Sequence, residues 1–209
     1  MVERTAENVQ ILEKKPLYKG FFKADEYFLR YPRYDGTMSR TVSREVMERG
    51  HAAAVLLYDA EREKIVLVEQ FRVGVYLTGE NPWIAECVAG IIGQGETPEA
   101  VARREAVEES GCEVGEIIPI CRYFSSPGGM SETLYVFCGQ TDSSKCAVEA
   151  GLENEGEDTR VLVLDADEAI QALLDGKINN AVTIISLQWF MLNRRMLKEK
   201  WGRNKEGGL

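Results

Sequence analysis

The stretch GIIGQGETPEAVARREAVEESGC, residues 90–112, joins a glycine-rich turn to a helix whose two ends are marked. Thr97 is a favoured N-cap residue, and Pro98 has the fixed backbone angle that suits the first helical position. Gly111 readily adopts the left-handed conformation that commonly follows the last helical residue. The sequence therefore predicts a helix from about Pro98 to Ser110.

Three glutamates share one face of this predicted helix. Glu105, Glu108 and Glu109 stand at positions i, i+3 and i+4, so their carboxylates lie close together. The repulsion between Glu105 and Glu109 should destabilise an isolated helix by roughly 0.2–0.5 kcal/mol. Taken alone, the pattern fits a solvated acidic face, but it also fits a Mg²⁺ site, because Mg²⁺ takes carboxylate and phosphate oxygens as ligands. Arg104, four residues before Glu108, is placed to orient that carboxylate.

The composition is that of an ordinary globular protein with excess negative charge. The chain has 209 residues, of which 44% are hydrophobic and 28% charged, and a formal net charge of −9. This length predicts one domain of about 150 residues plus a smaller piece. The negative charge argues against a nucleic-acid partner, and no apolar run approaches the ~18 residues of a membrane span. The polar N-terminus does not resemble a signal peptide, so we expect a cytoplasmic protein with no membrane partner.

Histidine and cysteine usage argues against the common zinc sites. His51 is the only histidine, so a site with two or three histidine ligands cannot form within one chain. The five cysteines contain no C-x-x-C pair, and the expected compartment predicts that they are reduced thiols. They are Cys87, Cys112, Cys121, Cys138 and Cys146.

Hydrophobic patterning divides the chain near residue 48. Residues 1–48 contain alternating stretches on either side of Asp35-Gly36, a strong hairpin signal, and predict a small antiparallel β domain. Residues 49–209 contain short apolar runs typical of buried strands, and then two helices that begin near Asp165 and Asn180. The predicted strands of this second domain are AAAVLLYD, KIVLVEQF, IAECVAG, IIPICRYF, TLYVFCG and TRVLVLD.

Residues 90–112 also match the spacing G-x5-E-x7-R-E-U-x-E-E-x-G-U, where U is a bulky aliphatic residue. The seven fixed positions are filled by Gly90, Glu96, Arg104, Glu105, Glu108, Glu109 and Gly111. Ala106 and Cys112 occupy the two aliphatic positions, a departure that concerns packing. The stretch thus resembles the Nudix box. This resemblance implies an α/β/α sandwich with a mixed sheet, preceded here by the antiparallel β domain, and cleavage of a nucleoside diphosphate linked to another moiety.

Segments outside the box resemble the ADP-ribose pyrophosphatase subfamily, among them LYKGFF, VEQFRVGVY, NPWIAECVAG and SSPGGMSE. This resemblance implies Mg²⁺-dependent hydrolysis of the pyrophosphate bond of ADP-ribose to AMP and ribose 5-phosphate. It also implies a homodimer formed through the N-terminal domain. One alternative is a pyrophosphatase for another nucleotide sugar such as GDP-mannose. The other is a non-catalytic sensor of ADP-ribose, which the intact glutamate set disfavours.

The resemblance also implies roles for individual residues. The metal ligands would be the Ala89 carbonyl, Glu105, Glu108, Glu109 and Glu157, holding two or three Mg²⁺ ions, with Mn²⁺ as the alternative metal. Glu155, in the acidic segment ENEGED, would be the general base. This assignment is less direct than the metal ligands, because Gly156 separates Glu155 from Glu157, Glu153 stands nearby, and Gly93 occupies a position where relatives often have an acid.

Substrate contacts are implied on both sides of the box. Arg72 would hold the phosphates, a task that suits the two-pronged guanidinium, although a surface arginine would fit the same sequence. Phe21 and Phe22 would contact the adenosine end, although core packing would also account for them. The full set implied by the resemblance is Phe21, Phe22, Arg44, Glu45, Arg49, Arg72, Ile91, Ser126 and Glu132.

Overall fold

The structure, a computed structural model, describes residues 2–151 and 158–202. These residues form two compact units, the first made of residues up to 51 together with 123–134, and the second of residues 52–122 together with 135 onward. Within the described residues, no helix is long and apolar enough to cross a membrane. The assignment of residues 1–48 to dimerisation stays a prediction.

The first unit is built on a three-stranded antiparallel sheet in the order β1-β2-β3. Its strands are β1 (Gln10–Lys19), β2 (Lys23–Arg30) and β3 (Val42–Glu48). The predicted turn lies between β2 and β3, where Asp35 Oδ1 accepts hydrogen bonds from the backbone N–H and the hydroxyl of Thr37 at 2.9 and 2.6 Å. Gly36 takes the left-handed conformation there, with φ 80°.

The larger mixed sheet belongs mainly to the second unit and has the order β10-β11-β5-β4-β9-β8, with β6 beside β5 and β7 beside β4. Its strands are β4 (Ala52–Asp59), β5 (Lys64–Phe71), β6 (Trp83–Glu86), β7 (Val88–Ile91), β8 (Ile117–Phe124), β9 (Thr133–Gln140), β10 (Glu149–Ala150) and β11 (Thr159–Asp165). The helices are α1 (Val73–Tyr76), α2 (Pro98–Ser110), α3 (Ala166–Leu174) and α4 (Ala181–Trp201).

Alternating side chains of the central strands build a core on each face of this sheet. Leu56 and Tyr58 of β4 pack in the cluster that includes residues of α3 and α4. Val55 and Leu57 of the same strand pack with residues of α2. Every residue of β4 is buried, as expected for a strand covered on both faces. The α/β/α layers implied by the sequence resemblance are confirmed.

One predicted strand is divided in two. The stretch IAECVAG forms β6, which pairs with β5, and β7, which pairs with β4. The break falls at Cys87, whose backbone N–H donates to Thr183 Oγ1 at 2.9 Å instead of to a neighbouring strand. Helix α4 therefore holds the chain at the point where it changes partner.

The cysteines do not all match the expectation of reduced thiols. Cys112 and Cys146 form a disulfide with a Cα–Cα distance of 4.9 Å. The expectation is wrong for this pair, because the residue after the C-cap of α2 lies against the segment that leads to β10, where the Ala147 N–H donates to the Ser110 carbonyl at 2.9 Å. Cys87, Cys121 and Cys138 are free thiols, as predicted.

Candidate active site

Helix α2 carries the box and has the predicted ends. Thr97 is the N-cap, and its side-chain oxygen accepts a hydrogen bond from the Ala100 N–H at 3.2 Å. Pro98 is the first helical residue, and Gly111 ends the helix in the left-handed conformation, with φ 67°. These local signals fix the register of the helix, and with it the position of each glutamate.

A guanidinium lies among the acidic residues of the box. Arg104 Nη1 is 2.8 Å from Glu105 Oε1 and 2.8 Å from Glu108 Oε2, and Nε is 3.3 Å from Glu96 Oε1. Partial burial opposes the charged form, but the charges of Glu105 and Glu108 outweigh it and raise the pKa of Arg104. The cation thus offsets the repulsion expected on this face, and the expected contact between Arg104 and Glu108 is present.

Gly90 makes room for Glu105. A Cβ added at Gly90 would lie 1.8 Å from Glu105 Oε1 and 2.1 Å from its Cδ, so the carboxylate occupies the space that any side chain at position 90 would need. This close approach gives a steric reason for a glycine at position 90. It brings the carboxylate of Glu105 against the backbone of β7.

Glu109 also reaches β7, at the preceding residue. It is 3% exposed, and its Oε2 accepts a hydrogen bond from the Ala89 N–H at 3.2 Å. Its Oε1 accepts one from Gln70 Nε2 at 3.2 Å. The sequence reasoning missed Gln70, although a polar residue that continues the alternation of Val66 and Val68 in an apolar strand was a usable signal.

The described residues fit Mg²⁺ in donor chemistry. Glu105 and Glu109 converge on neighbouring residues of β7, and Mg²⁺ takes carboxylate and carbonyl oxygens. In the part of the chain that the structure describes, no three His, Cys, Asp or Glu side chains are arranged to hold a metal ion. The predicted base Glu155 and the predicted ligand Glu157 lie outside the described residues.

Arg72 directly follows β5 and is held by strand β6. Its side chain is 45% exposed, and its Nε donates to Glu86 Oε2, while the Glu86 side chain is only 13% exposed. Its backbone N–H donates to the Pro82 carbonyl at 2.8 Å. The sequence reasoning missed Glu86, which sets the direction of the guanidinium. Ile91, the last residue of β7, is 42% exposed.

The first unit brings together four of the predicted substrate contacts. The rings of Phe21 and Phe22 meet edge to face at 5.1 Å between centroids, and the guanidinium of Arg49 lies 5.5 Å from the Phe22 ring centroid. Arg49 Nε is 3.1 Å from Glu132 Oε1. Glu132 is buried and Phe21 is 81% exposed. These four residues form an aromatic and charged cluster with one side open to solvent.

The loop that contains Ser126 is joined to β3 within the same unit. The Met47 N–H donates to the Gly129 carbonyl at 2.8 Å, and the Ser126 carbonyl accepts from the Met130 N–H at 2.8 Å. His51 Nδ1 accepts from the Thr133 N–H at 3.2 Å, a structural role that fits a lone histidine. Arg44 Nη1 donates to the Ser43 carbonyl, and Glu45 is exposed on β3 opposite Glu26.

Comparisons with known proteins agree with this architecture. The NUDIX domain matches residues 47–185. The ADP-ribose pyrophosphatase of Escherichia coli (strain K12) is 44% identical over 194 residues, covering 93% of each chain. That of Haemophilus influenzae is 36% identical over 201 residues, covering 95% of this chain and 93% of the relative. The GDP-mannose pyrophosphatase of Klebsiella pneumoniae is 35% identical over 191 residues, covering 90% and 94%.

A solved structure described as an ADP compounds hydrolase superposes with a TM-score of 0.69 at 18% identity, covering 95% of this chain and 98% of that one. At this identity the superposition supports the fold alone. The domain match extends over more than half of the chain, and the sequence relatives extend over nearly all of it. This protein therefore belongs to the NUDIX family.

Proposed function

We propose that this protein is a hydrolase that splits the pyrophosphate bond of ADP-ribose into AMP and ribose 5-phosphate. The observation that carries the proposal is the convergence of Glu105 and Glu109 on Gly90 and Ala89 of β7. This arrangement brings two carboxylates to neighbouring residues of one strand, and carboxylate oxygens are the protein ligands that Mg²⁺ takes in phosphoryl sites. The two ADP-ribose pyrophosphatases at 44% and 36% identity support the choice of substrate.

Mg²⁺ is the metal that we assign to this site. The site would hold two or three Mg²⁺ ions, with Mn²⁺ as the alternative metal. The ligands would be the Ala89 carbonyl, Glu105, Glu108, Glu109 and Glu157. When bound, the metal would neutralise phosphate charge and lower the pKa of a coordinated water. Arg104 would keep Glu108 oriented through the contact already present in the structure.

The remaining steps belong to side chains of the protein. Arg72 would bind the phosphates with its guanidinium, whose direction is set by Glu86. Glu155 would accept a proton from the water that attacks phosphorus, because carboxylates occupied by metal are poor proton acceptors. The cluster of Phe21, Phe22 and Arg49 would contact the adenosine end, since an aromatic face and a guanidinium both stack on a base.

The N-terminal sheet supports the proposal that the protein is a homodimer. All ten residues of β1 are exposed, among them Ile11 and Tyr18 at 62% each. Pro16 and neighbouring lysines are typical of edges that resist strand addition, so we propose that a face of the sheet contacts the partner. Light scattering should give about twice the chain mass of 23.5 kDa. A monomeric mass with full hydrolysis would rule the dimer out.

A second candidate function is hydrolysis of GDP-mannose, favoured by the GDP-mannose pyrophosphatase at 35% identity. A sensor that binds ADP-ribose without cleaving it is disfavoured by the intact glutamates of the box.

The cytoplasmic location stays a prediction.

The deciding experiment is a turnover assay of purified protein with ADP-ribose, GDP-mannose, ADP-glucose and NADH in the presence of Mg²⁺. We expect the highest kcat/KM for ADP-ribose, with AMP and ribose 5-phosphate as products. A higher value for GDP-mannose would transfer the proposal to that substrate. Binding of ADP-ribose without turnover of any compound would favour the sensor.

A further inference from the structure

Gln70 is a polar residue in an apolar position. It lies on β5 two residues after Val68 and four after Val66, both of which pack in the core beneath α2. The alternation of a strand gives Gln70 the same face, and it is only 6% exposed. Burial of an amide costs free energy unless the amide is hydrogen-bonded, so packing alone would favour an apolar residue at this position.

Both protons of the Gln70 amide have acceptors. Nε2 donates to Thr159 Oγ1 at 2.8 Å and to Glu109 Oε1 at 3.2 Å, and all three side chains are buried. The orientation of the amide is determined by chemistry, because an ionised carboxylate can only accept a hydrogen bond. The Gln70 nitrogen must therefore face Glu109.

The carboxylate of Glu109 is held from two directions. Oε1 accepts from Gln70 on β5, and Oε2 accepts from the Ala89 N–H on β7. Because one bond ends on each oxygen and the two donors lie on different strands, these bonds fix the plane of the carboxylate. The same amide also joins Glu109 to Thr159, the first residue of β11, which begins shortly after the acidic segment ENEGED.

We propose that Gln70 is a positioning residue for the metal site. It orients the Glu109 carboxylate toward a divalent cation and fixes it relative to the start of β11 through Thr159. This inference rests on the proposed function, specifically on Glu109 as a metal ligand. Residues that hold a ligand in place in this way typically change metal affinity 10–100-fold when they are replaced.

The test measures Mn²⁺ binding to the protein without substrate, by electron paramagnetic resonance titration, alongside the Mg²⁺ concentration for half-maximal turnover. Gln70→Met keeps the length of the side chain and removes both donors. We expect it to raise the Kd for Mn²⁺ about 10–100-fold and to raise the Mg²⁺ requirement in parallel. Gln171→Met is the matched control, because the Gln171 amide also donates to a carboxylate, that of Asp175, but on the exposed face of α3. Its Kd should not change.

Variants at Thr159 test the same chain of bonds from its other end. Thr159→Val removes the hydroxyl that accepts from Gln70 at nearly constant volume, and it should weaken Mn²⁺ binding severalfold. Thr159→Ser retains the hydroxyl and should bind Mn²⁺ as the wild type does. If Gln70→Met does not fold, this pair decides the question. A role in stability alone would lower the melting temperature of Gln70→Met or Thr159→Val and leave the Kd unchanged, and that result would overturn the proposal.

Glu109→Gln separates this inference from the assignment of the metal site. If Glu109→Gln loses Mn²⁺ binding while folded Gln70→Met keeps it, only the positioning role fails. If Glu109→Gln also binds Mn²⁺ with unchanged affinity, the assignment of Glu109 as a ligand fails, and the role of Gln70 fails with it.

Discussion

Strands β1 and β4 are both β-strands, but their side chains differ completely in solvent exposure. Every residue of β4 is buried, whereas every residue of β1 is exposed. β4 lies inside a sheet covered on both faces, and its pairing with β7 places Ala89 and Gly90 for the box glutamates. β1 presents Ile11 and Tyr18 to solvent. The second unit therefore contains the buried strands that position the proposed catalytic residues, while the first unit contains the exposed residues that we propose for recognition.

This contrast predicts that replacements in the two units affect different kinetic constants. Changes to the box glutamates or to Glu155 should lower kcat, because we propose that these groups act on the reacting phosphate. Changes to the aromatic cluster of the first unit should raise KM, because that cluster is expected to bind a part of the substrate that does not react.

The largest effect is expected at the proposed base. Glu155→Gln should lower kcat ~10²–10⁴-fold at nearly constant KM, the range for loss of a general base. Glu153→Gln is the matched control in the same segment and should be nearly silent. Glu157→Gln should increase the metal requirement instead. Steady-state kinetics at several Mg²⁺ concentrations would distinguish the three. A large loss of kcat in Glu153→Gln but not in Glu155→Gln would move the base to Glu153.

The box glutamates should have the next largest effect. Glu105→Gln and Glu109→Gln should each lose at least about a hundredfold in Mg²⁺-dependent turnover, equivalent to ~2.7 kcal/mol of barrier. The reason is that an amide is a much weaker ligand for Mg²⁺ than a carboxylate. Turnover close to that of the wild type in either folded variant would refute the metal assignment.

Gly90→Ala tests whether turnover depends on the position of the Glu105 carboxylate, without removing any charge. The new Cβ would lie 1.8 Å from Glu105 Oε1, so the flexible carboxylate must move away from β7. We expect a loss of turnover of about tenfold or more with the fold preserved. Gly74→Ala is the control, because a Cβ there has no described neighbour within 4 Å. Equal activity in the two alanine variants would show that the position of Glu105 against β7 is not needed.

A smaller effect is expected in the first unit. Phe22→Ala removes a ring that contacts both Phe21 and Arg49, and it should raise KM about tenfold with little change in kcat. Tyr34→Ala is the control, because Tyr34 is an exposed aromatic residue of this unit whose ring is contacted by Arg4 instead of Arg49. A fall in kcat at unchanged KM for Phe22→Ala would contradict the division of roles between the units.

Local signals account for what the sequence could predict. The caps Thr97 and Gly111 fixed helix α2, and the apolar runs identified the buried strands. The sequence predicted the antiparallel β domain but no bounds for β1, because a strand exposed along its whole length has few local signals of where it starts. Gln70 contacts residues 39 and 89 positions away, so its role depends on strand pairing that the sequence does not reveal.

The disulfide was missed for a similar reason. Cys112 and Cys146 are separated by 34 residues and meet only because the segment after α2 packs against the approach to β10. The pairing of Arg72 with Glu86 likewise depends on the contact between β5 and β6. Residue types and spacing predicted the box. Gln70, which holds the box residue Glu109 in place, could be identified only from the tertiary structure.

The smallest effect concerns stability in acid and involves Glu63, in the turn between β4 and β5. Its carboxylate accepts from the Tyr58 hydroxyl at 2.8 Å and lies 3.1 Å from Arg194 Nη2 and 3.0 Å from Lys198 Nζ, both on α4. Partial burial opposes ionisation, but the hydrogen bonds from Lys198, Tyr58 and Arg194 outweigh it and lower the pKa of Glu63 to about 2.

Because the folded pKa lies below the ordinary value of 4.5, this stabilisation should be complete above about pH 4.5 and disappear as the pH falls toward about 2. Glu63→Gln should therefore lower the free energy of unfolding at pH 7 by less than about 1 kcal/mol, since the Glu63 side chain is 30% exposed and water screens the pair. Urea titrations from pH 7 to pH 3 should show the difference from wild type shrinking with acid. Glu113→Gln, at an exposed glutamate of the same unit, is the control and should show no such trend. A deficit in Glu63→Gln that stays constant down to pH 3 would mean that the ion pairs with α4 do not stabilise the fold.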